Sequence, residues 1–362
     1  MDTPGCRIVI LGLSITSSWG NGHAATYRGL VEALHERGHD VLFLERDTDW
    51  YAANRDLPTP PWGETALYHD LDELRTRYTA RIEQADLVMV GSYVPEGIAV
   101  GRWVTDHADG VTAFYDIDTP ITIAAVEAGT CEYLTRDLIP HYDVYFSFTG
   151  GGLLDSLQNV YGAQAARPLY CAVNPAHYFP EATTIAWDMG YMGTYSPDRQ
   201  PALEALMFDP ARAWRAGQFV VVGPQYPPDV KFPANMHYVP HLAPPQHRTF
   251  YNAQRFTLNL TRREMIRWGY SPSIRLFEAA ACATPILTDA WEGLETFFTP
   301  GEDILIVQSA ADTLAALHDI PEAERLAIGR RARARILRTH TPAHRAAEIE
   351  RWIGSAAAPA AL

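Results

Sequence analysis

The sequence predicts an α/β protein built from two successive units, each with a mainly parallel sheet. Short, continuously apolar runs recur along the chain, and the intervals between them leave room for a helix. Continuous apolarity is typical of strands that helices cover on both faces, as in parallel sheets. The length of 362 residues also exceeds one ordinary core and fits two domains of common size.

The first half of the chain is predicted to alternate strands with helices. The helix after the first strand has Tyr27, Leu30 and Leu34 on one face, and Gly38 stands where helices commonly end. A strand, a glycine-containing loop, an amphipathic helix and a second strand together form a right-handed βαβ unit. The predicted strands of this half are Arg7–Leu13, Val41–Leu44, Leu87–Val90, Val111–Tyr115 and Val144–Phe148.

A second α/β series follows the segment Asn174–Thr183, which has two prolines, little periodicity and the composition of a linker. Its predicted strands are Trp187–Met192, Phe219–Val222, Phe256–Leu260, Pro285–Thr288 and Ile304–Val307, and its helices are Gln246–Ala253, Ile274–Ala283 and a long segment from Pro321. A break at His340–Pro342 precedes one more amphipathic helix. We therefore expect domains at 1–173 and 174–340, then a last helix within 341–362 and a loose alanine- and proline-rich tail.

Composition excludes several classes of protein. The formal net charge of −14 would repel a phosphate backbone, so we expect no nucleic-acid partner. No apolar stretch approaches membrane-spanning length, and the short first run lacks the flanks of a signal peptide, so a cytoplasmic protein is expected. The four cysteines show no pair at metal-ligand spacing.

The segment from Tyr270 to Pro285 carries the strongest functional signal. Pro272 and Ser273 indicate a helix start, where Ser273 can cap the free amides and the helix dipole favours an anion. Arg275 places a positive charge in the first turn, where stability alone favours an acid. A bound phosphate would explain that placement.

Glu278 lies one turn further along, among apolar side chains. A carboxylate in such a helix is costly to bury unless it accepts hydrogen bonds. A ribose diol would supply two donors in suitable geometry. The alternative is an ordinary ion pair with Arg275 across one turn.

These segments resemble a known family. The phrase "RLFEAAACATPILTD" is similar to the donor-binding helix of GT-B glycosyltransferases, and "GYMGTYSPDRQPALEAL" and "VVVGPQYP" resemble the CgeB-like branch of that superfamily. The resemblance implies two Rossmann-like domains facing across a cleft, a last helix that packs back on the first domain, and a ribose-binding role for Glu278. Two departures matter: Tyr270 stands where many retaining members have a second glutamate, and Ala283 replaces a glycine. Alanine is acceptable there if the backbone φ is negative.

The resemblance also implies where the rest of the donor binds. Gly193 and Thr194 match the place where a glycine approaches the diphosphate, and arginines after the strands offer planar forks to phosphate oxygens. An exposed loop cation is the alternative for Arg199. The predicted donor-binding residues are Gly193, Thr194, Arg199, Arg262, Tyr270, Ser271, Ser273, Arg275 and Glu278.

Two residues of the first domain are candidate catalytic groups. His23 follows a loop that lines the acceptor side in the family fold, and could act as a general base or an orienting donor. Asp118 belongs to an Asp-Ile-Asp sequence after a strand, and could bind the acceptor or act as a base. The alternatives are a helix-start histidine without a chemical role and a capped turn at the strand end. Two carboxylates alone make a poor magnesium site, so no metal is expected.

The sequence therefore predicts a glycosyltransferase, retaining and metal-independent, that moves a sugar from a nucleoside-diphosphate sugar to a small-molecule, glycan or protein acceptor. No cofactor is expected, since the nucleotide sugar is a co-substrate. The alternatives are a nucleotide-sugar epimerase on the same fold and an inactive nucleotide-sugar-binding protein. A dehydrogenase is disfavoured because no dinucleotide-binding glycine motif is present and Glu45 is the only acidic candidate after the second strand.

Overall fold

The structure, a computed structural model, describes residues 5–19 and 22–356 and divides the chain into two compact units. The first unit runs to Ala172 and resumes at Pro342, whereas the second extends from Val173 to Thr341. The predicted loose tail beyond residue 356, and Gly20 and Asn21 in the loop before His23, lie outside the described residues.

The first unit is built on a seven-stranded parallel sheet with the order β3-β2-β1-β4-β5-β6-β7. Its strands are β1 (Arg7–Gly12), β2 (Asp40–Arg46), β3 (Glu64–Tyr68), β4 (Leu87–Gly91), β5 (Val111–Asp116), β6 (Val144–Ser147) and β7 (Ala166–Pro168). Its helices are α1 (His23–Glu36), α2 (Asp49–Ala52), α3 (Leu71–Glu83), α4 (Gly97–His107), α5 (Thr119–Ala128) and α6 (Gly152–Asn159), with a 3₁₀ turn at Ile139–His141.

The second unit has a six-stranded parallel sheet with the order β10-β9-β8-β11-β12-β13. Its strands are β8 (Trp187–Met192), β9 (Phe219–Val222), β10 (Met236–Val239), β11 (Gln254–Asn259), β12 (Ile286–Thr288) and β13 (Leu305–Ile306). Its helices are α7 (Gln200–Leu203), α8 (Asp209–Ala213), α9 (Pro244–Asn252), α10 (Arg263–Trp268), α11 (Ile274–Ala281), α12 (Ala310–Asp319) and α13 (Glu322–Thr339), with a π-helix at Glu204–Phe208 and a 3₁₀ turn at Leu294–Thr296.

The predicted α/β class with two parallel sheets is confirmed. The central strands were recognisable because they are buried along their length, as in β4, where all five residues are buried. Both sheets share one topology. The first strand of each unit lies inside its sheet, the next two strands in sequence extend the sheet on one side of it, and the later strands extend the sheet on the other side. Ligands of such sheets bind beyond the carboxyl ends of the strands at this switch point, which lies between β1 and β4 in the first unit and between β8 and β11 in the second.

The last helix, α14 (Pro342–Ala356), belongs to the first unit although it follows the second in sequence. Its residues Ala346 and Ile349 are fully buried, and it packs against α1. Glu350 accepts hydrogen bonds from Arg37 at the end of α1 and from the Nε2 atom of His39 at 2.9 Å. Helix α14 is therefore held on the first unit by its buried apolar face and by the hydrogen bonds of Glu350.

In the described part of the chain, no helix has both the length and the apolar character that crossing a membrane requires.

Candidate functional site

The switch point of the second sheet carries several of the predicted donor residues. Gly193 and Thr194 follow β8 directly, and Arg262 follows β11 as the N-cap residue of α10. A Cβ atom on Gly193 would lie only 2.5 Å from the Tyr191 hydroxyl and 3.0 Å from a guanidinium nitrogen of Arg275. A larger residue would therefore displace the Tyr191 hydroxyl and crowd Arg275, which explains why glycine stands here.

Arg275 extends from the first turn of α11 towards the end of β8. Its Nε atom donates to the carbonyl of Met192, and its Nη1 atom donates to the Oδ1 atom of Asn259 at 2.8 Å. The guanidinium carbon also lies 5.0 Å from the ring centre of Tyr191. These contacts hold a positive charge at the carboxyl ends of β8 and β11.

Arg199 and Arg262 add two further positive charges to this region. The Nη2 atom of Arg199 donates to the Thr194 carbonyl at 2.6 Å, while its buried Nε atom has no hydrogen-bond partner within the described residues. Burial, and then the charges of Arg275 and Arg262, lower the pKa of Arg199. None of the three guanidinium groups forms an ion pair with a carboxylate among residues 5–19 and 22–356. Guanidinium groups without a carboxylate ion pair are suited to binding an anion.

The start of α11 differs from the prediction in one respect. Ser273 is the N-cap residue, but its side chain makes no capping hydrogen bond, so the expected capping role of its hydroxyl is wrong. The neighbouring Ser271 is buried, with 3% of its surface exposed. Since the Ser273 hydroxyl does not occupy the first-turn amides, the helix dipole keeps its attraction for an anion there.

Glu278 is buried in α11 and accepts a hydrogen bond from the Tyr251 hydroxyl at 3.0 Å. Burial and the Glu278 carboxylate raise the pKa of both Tyr251 and Tyr178, so both phenols stay protonated donors. Glu278 and Arg275, both among the described residues, form no ion pair with each other. The Arg275 guanidinium group donates to Met192 and Asn259 instead. The alternative of a simple pair across one helix turn is thereby excluded.

Two residues near α11 have left-handed backbone conformations. Tyr270 has a φ of 48°, and its N–H donates to the carbonyl of Glu292 at 2.6 Å. Ala283, just beyond the helix, has a φ of 57°. The expectation of a negative φ at Ala283 was wrong, because the helix ends in a motif that requires the left-handed region.

The two candidates of the first unit, His23 and Asp118, are linked through Tyr93. The His23 ring lies edge-on to the Tyr93 ring at 5.3 Å, and the Tyr93 hydroxyl donates to Asp118 Oδ2 at 3.4 Å. Burial lowers the pKa of His23 to about 4, so the imidazole is neutral near pH 7.

The other carboxylate of the Asp-Ile-Asp sequence, that of Asp116, is hydrogen-bonded within the fold. Asp116 is fully buried and accepts hydrogen bonds from Tyr145, from Thr122 at 2.8 Å and from the Asp118 N–H at 3.1 Å. Burial raises its pKa to about 6. In the described part of the chain, no cluster of three or more histidine, cysteine or acidic side chains could hold a metal ion.

Sequence reasoning missed Asn259, Tyr251 and Tyr93, each of which contacts a predicted site residue. Asn259 lies one residue before the end of the predicted strand Phe256–Leu260 and ends β11 in the structure, so its position was a usable signal. Tyr251 and Tyr93 make contacts that depend on packing between distant segments, for which single-sequence periodicity gives no signal.

A family model described as "Glycosyl transferase-like" matches residues 199–351 of this chain. The matched region includes Arg199, Arg262, Arg275 and Glu278. A search of curated protein sequences found no relative that matches.

Solved structures resemble this chain over nearly its whole length. A sucrose-phosphate synthase from Thermosynechococcus elongatus has a TM-score of 0.64 at 15% identity, covering 96% of this chain and 98% of that one. HepE from Anabaena, in complex with UDP and glucose, has a TM-score of 0.70 at 10% identity, covering 97% of this chain and 100% of that one. An alpha-glucosyltransferase in complex with UDP and a 13-mer DNA containing an HMU base has a TM-score of 0.72 at 11% identity, covering 97% and 100%. The fold is therefore the two-domain GT-B fold.

Proposed function

We propose that this chain is a retaining, metal-independent glycosyltransferase that uses a nucleoside-diphosphate sugar. The observation that carries the proposal is the group of three guanidinium side chains, Arg199, Arg262 and Arg275, at the switch point of the second sheet. They have no carboxylate partners, so the charge they present suits a diphosphate. The glycosyl transferase-like match covers all three, and structural neighbours were solved with UDP or UDP-glucose.

The proposed donor contacts follow from this arrangement. The diphosphate binds Arg199, Arg262 and Arg275, with the start of α11 and the backbone at Gly193 and Thr194 close by. The ribose hydroxyls donate to Glu278, which the Tyr251 hydroxyl already orients. Tyr270 and Ser271 lie on the segment before α11, where the sugar contacts are expected. The resemblance of this pattern to the CgeB-like branch stays a prediction.

The proposed reaction needs no enzyme nucleophile. An acceptor hydroxyl attacks the anomeric carbon as the bond from that carbon to the diphosphate oxygen breaks, and the electron pair goes to the diphosphate. The guanidinium groups stabilise the growing negative charge, which is the part a divalent cation plays in other enzymes. The diphosphate oxygen takes the acceptor proton, while His23 and Asp118 in the first unit orient the acceptor.

The net charge of −14 disfavours a polyanion such as nucleic acid, although one structural neighbour was solved with DNA. A small molecule, a glycan or a protein is the proposed acceptor, and the panel of acceptors tested should include DNA for that reason.

The test is ligand-dependent stabilisation, measured as the thermal shift with UDP and UDP-glucose. A ligand at a hundred times its dissociation constant adds about 2.7 kcal/mol to stability. We expect Glu278→Ala to lose this stabilisation, because the ribose loses its acceptor, and His23→Ala to keep it.

A matched pair of arginine variants controls for folding defects. Arg262 and Arg263 are adjacent, but only Arg262 is proposed to meet the diphosphate, so Arg262→Gln should weaken UDP binding about tenfold or more and Arg263→Gln should leave it unchanged. No shift of the unmodified protein with any nucleoside diphosphate would contradict the donor site. Loss of UDP binding in His23→Ala alone would indicate that the donor binds to the first unit, contrary to the proposal.

A further inference from the structure

The loop after β4 holds an aromatic residue in a disfavoured backbone conformation. Tyr93 has a φ of 63° and Glu96 a φ of 54°, both in the left-handed region. Bulky side chains rarely occupy that region, and where they do, the surrounding structure must hold them there. The loop lies at the switch point of the first sheet, where ligands of this topology bind.

Neighbouring residues anchor Tyr93 on both sides. The Ser92 N–H donates to the Tyr115 carbonyl at 2.9 Å, and the Ser92 hydroxyl accepts from the Ile117 N–H at 3.1 Å. On the other side, Val94 is buried, with 2% of its surface exposed. The backbone at Tyr93 is thus fixed from β5 and from the core.

The strained conformation brings the Tyr93 side chain against both predicted acceptor residues. Its ring is perpendicular to the His23 imidazole, with the ring centres 5.3 Å apart, and its centre lies 4.7 Å from that of the Tyr133 ring. Its hydroxyl donates to Asp118 Oδ2 at 3.4 Å. One side chain therefore spans the residues that follow β1 and β5.

The helix positions of His23 and Asp118 do not account for their polar atoms. His23 is 7% exposed, and its Nδ1 atom has no hydrogen-bond partner in the described part of the chain. Asp118 is the N-cap residue of α5, yet its side chain makes no capping bond. A buried nitrogen without a partner and a carboxylate held by a tyrosine instead of a helix end both suit a hydroxyl-bearing ligand.

We propose that Tyr93 is a positioning residue that holds His23 and Asp118 in place for the hydroxyl of a polyol or sugar acceptor. The proposal rests on the proposed glycosyltransferase function and adds to it a residue and an acceptor chemistry. Tyr93 acts through its neighbours: its ring fixes the tilt of the imidazole, and its hydroxyl fixes the carboxylate.

The experiment compares Tyr93→Phe with a matched control, Tyr161→Phe. Both changes remove a hydroxyl that donates to a carboxylate in the first unit, since Tyr161 donates to Glu127. UDP release from UDP-glucose is measured with water, glycerol and glucose as acceptors. We expect kcat to fall about tenfold in Tyr93→Phe with the KM for UDP-glucose unchanged, and both constants to stay unchanged in Tyr161→Phe. Equal kcat values for Tyr93→Phe and the unmodified protein would overturn the proposal.

A second variant separates positioning from packing without an activity assay. Asparagine tolerates the left-handed region, so Tyr93→Asn relieves the strain while it removes the ring. If the ring serves the site, the midpoint of urea unfolding stays the same or rises in this variant. A lower midpoint shows that the ring serves the fold and overturns the proposal. If the unmodified protein neither binds nor hydrolyses UDP-glucose, the proposed donor function fails, and this midpoint alone decides the role of Tyr93.

Discussion

Ala283 adopts a backbone conformation that glycine reaches at lower cost. The N–H of Thr284 donates to the carbonyl of Ala279 at 3.0 Å, and the N–H of Ala283 donates to the carbonyl of Ala280 at 2.8 Å. These two bonds define a Schellman motif, whose left-handed residue is usually glycine. The alanine methyl group is therefore strained at a φ of 57°.

We expect Ala283→Gly to raise the free energy of unfolding by up to about 1 kcal/mol, because relief of the left-handed strain exceeds the added chain entropy of glycine. Urea unfolding measures the change. The control is Ala280→Gly inside α11, which should lower the free energy by about 1 kcal/mol or more. A loss of stability in both variants would contradict the strain at Ala283.

The residues of the site differ in how far sequence could place them. Arg275 and Glu278 lie one turn apart on a helix, and that spacing was readable from the chain. The capping hydroxyl of Ser273 was predicted and does not occur, since capping depends on a rotamer and not on residue type alone. The partners Asn259 and Tyr251 come from other elements, so no local pattern announces their contacts with α11.

At the level of elements, the buried central strands were predictable, whereas the edge strands β3 and β7 of the first sheet were not. The limits of β8 and β9 agree with the prediction. β9 is a short apolar run that is buried throughout, and both strands lie inside their sheet. The edge strand β3 was missed because only one of its five residues is fully buried. The π-helix at 204–208 was also missed. Within it, the Leu206 carbonyl accepts a hydrogen bond from the buried Thr313 hydroxyl at 3.2 Å, a contact with a residue distant in sequence.

The end of β2 fixes the loop that follows β1 through one buried carboxylate. Glu45 accepts four hydrogen bonds: from the Ile15 N–H at 2.6 Å, from the Thr16 N–H at 2.9 Å, and from the hydroxyls of Thr16 and Ser14. The carboxylate that a dinucleotide ribose would require is thus fully used by the protein. This arrangement gives the acid near the end of β2 a structural role.

We expect Glu45→Gln to lower the free energy of unfolding by about 2 kcal/mol or more, because the new amide turns N–H donors towards N–H donors. Hydrogen exchange at the Ile15 and Thr16 amides should accelerate in the same variant. Glu64→Gln on the adjacent strand β3 is the matched control, since that carboxylate is half-exposed and pairs with Arg81 on the surface. Its change should stay within about 0.5 kcal/mol. Equal effects of the two substitutions would refute the role of Glu45.

Across the whole molecule, the chain order and the structural units do not coincide. The first unit is completed by α14, which the chain reaches only after the whole second unit has been formed. Ala346 and Ile349 are fully buried on this helix, and Ile353 is 8% exposed. Burial of each isoleucine contributes about 1.5–3 kcal/mol, so the helix supplies a substantial part of the stability of the first unit.

Deletion of residues 342–362 should therefore open the first unit and leave the second intact. Limited proteolysis followed by mass spectrometry should show early cleavage before Ala172, while a fragment from Val173 persists and is protected by UDP. Within the full chain, Ile349→Ala should cost about 2–5 kcal/mol, whereas Ile266→Ala on α10, 41% exposed, should cost far less. Early cleavage of the second unit instead would mean that α14 stabilises a different part of the protein, because its contacts with α1 would then not be the ones that keep the first unit closed.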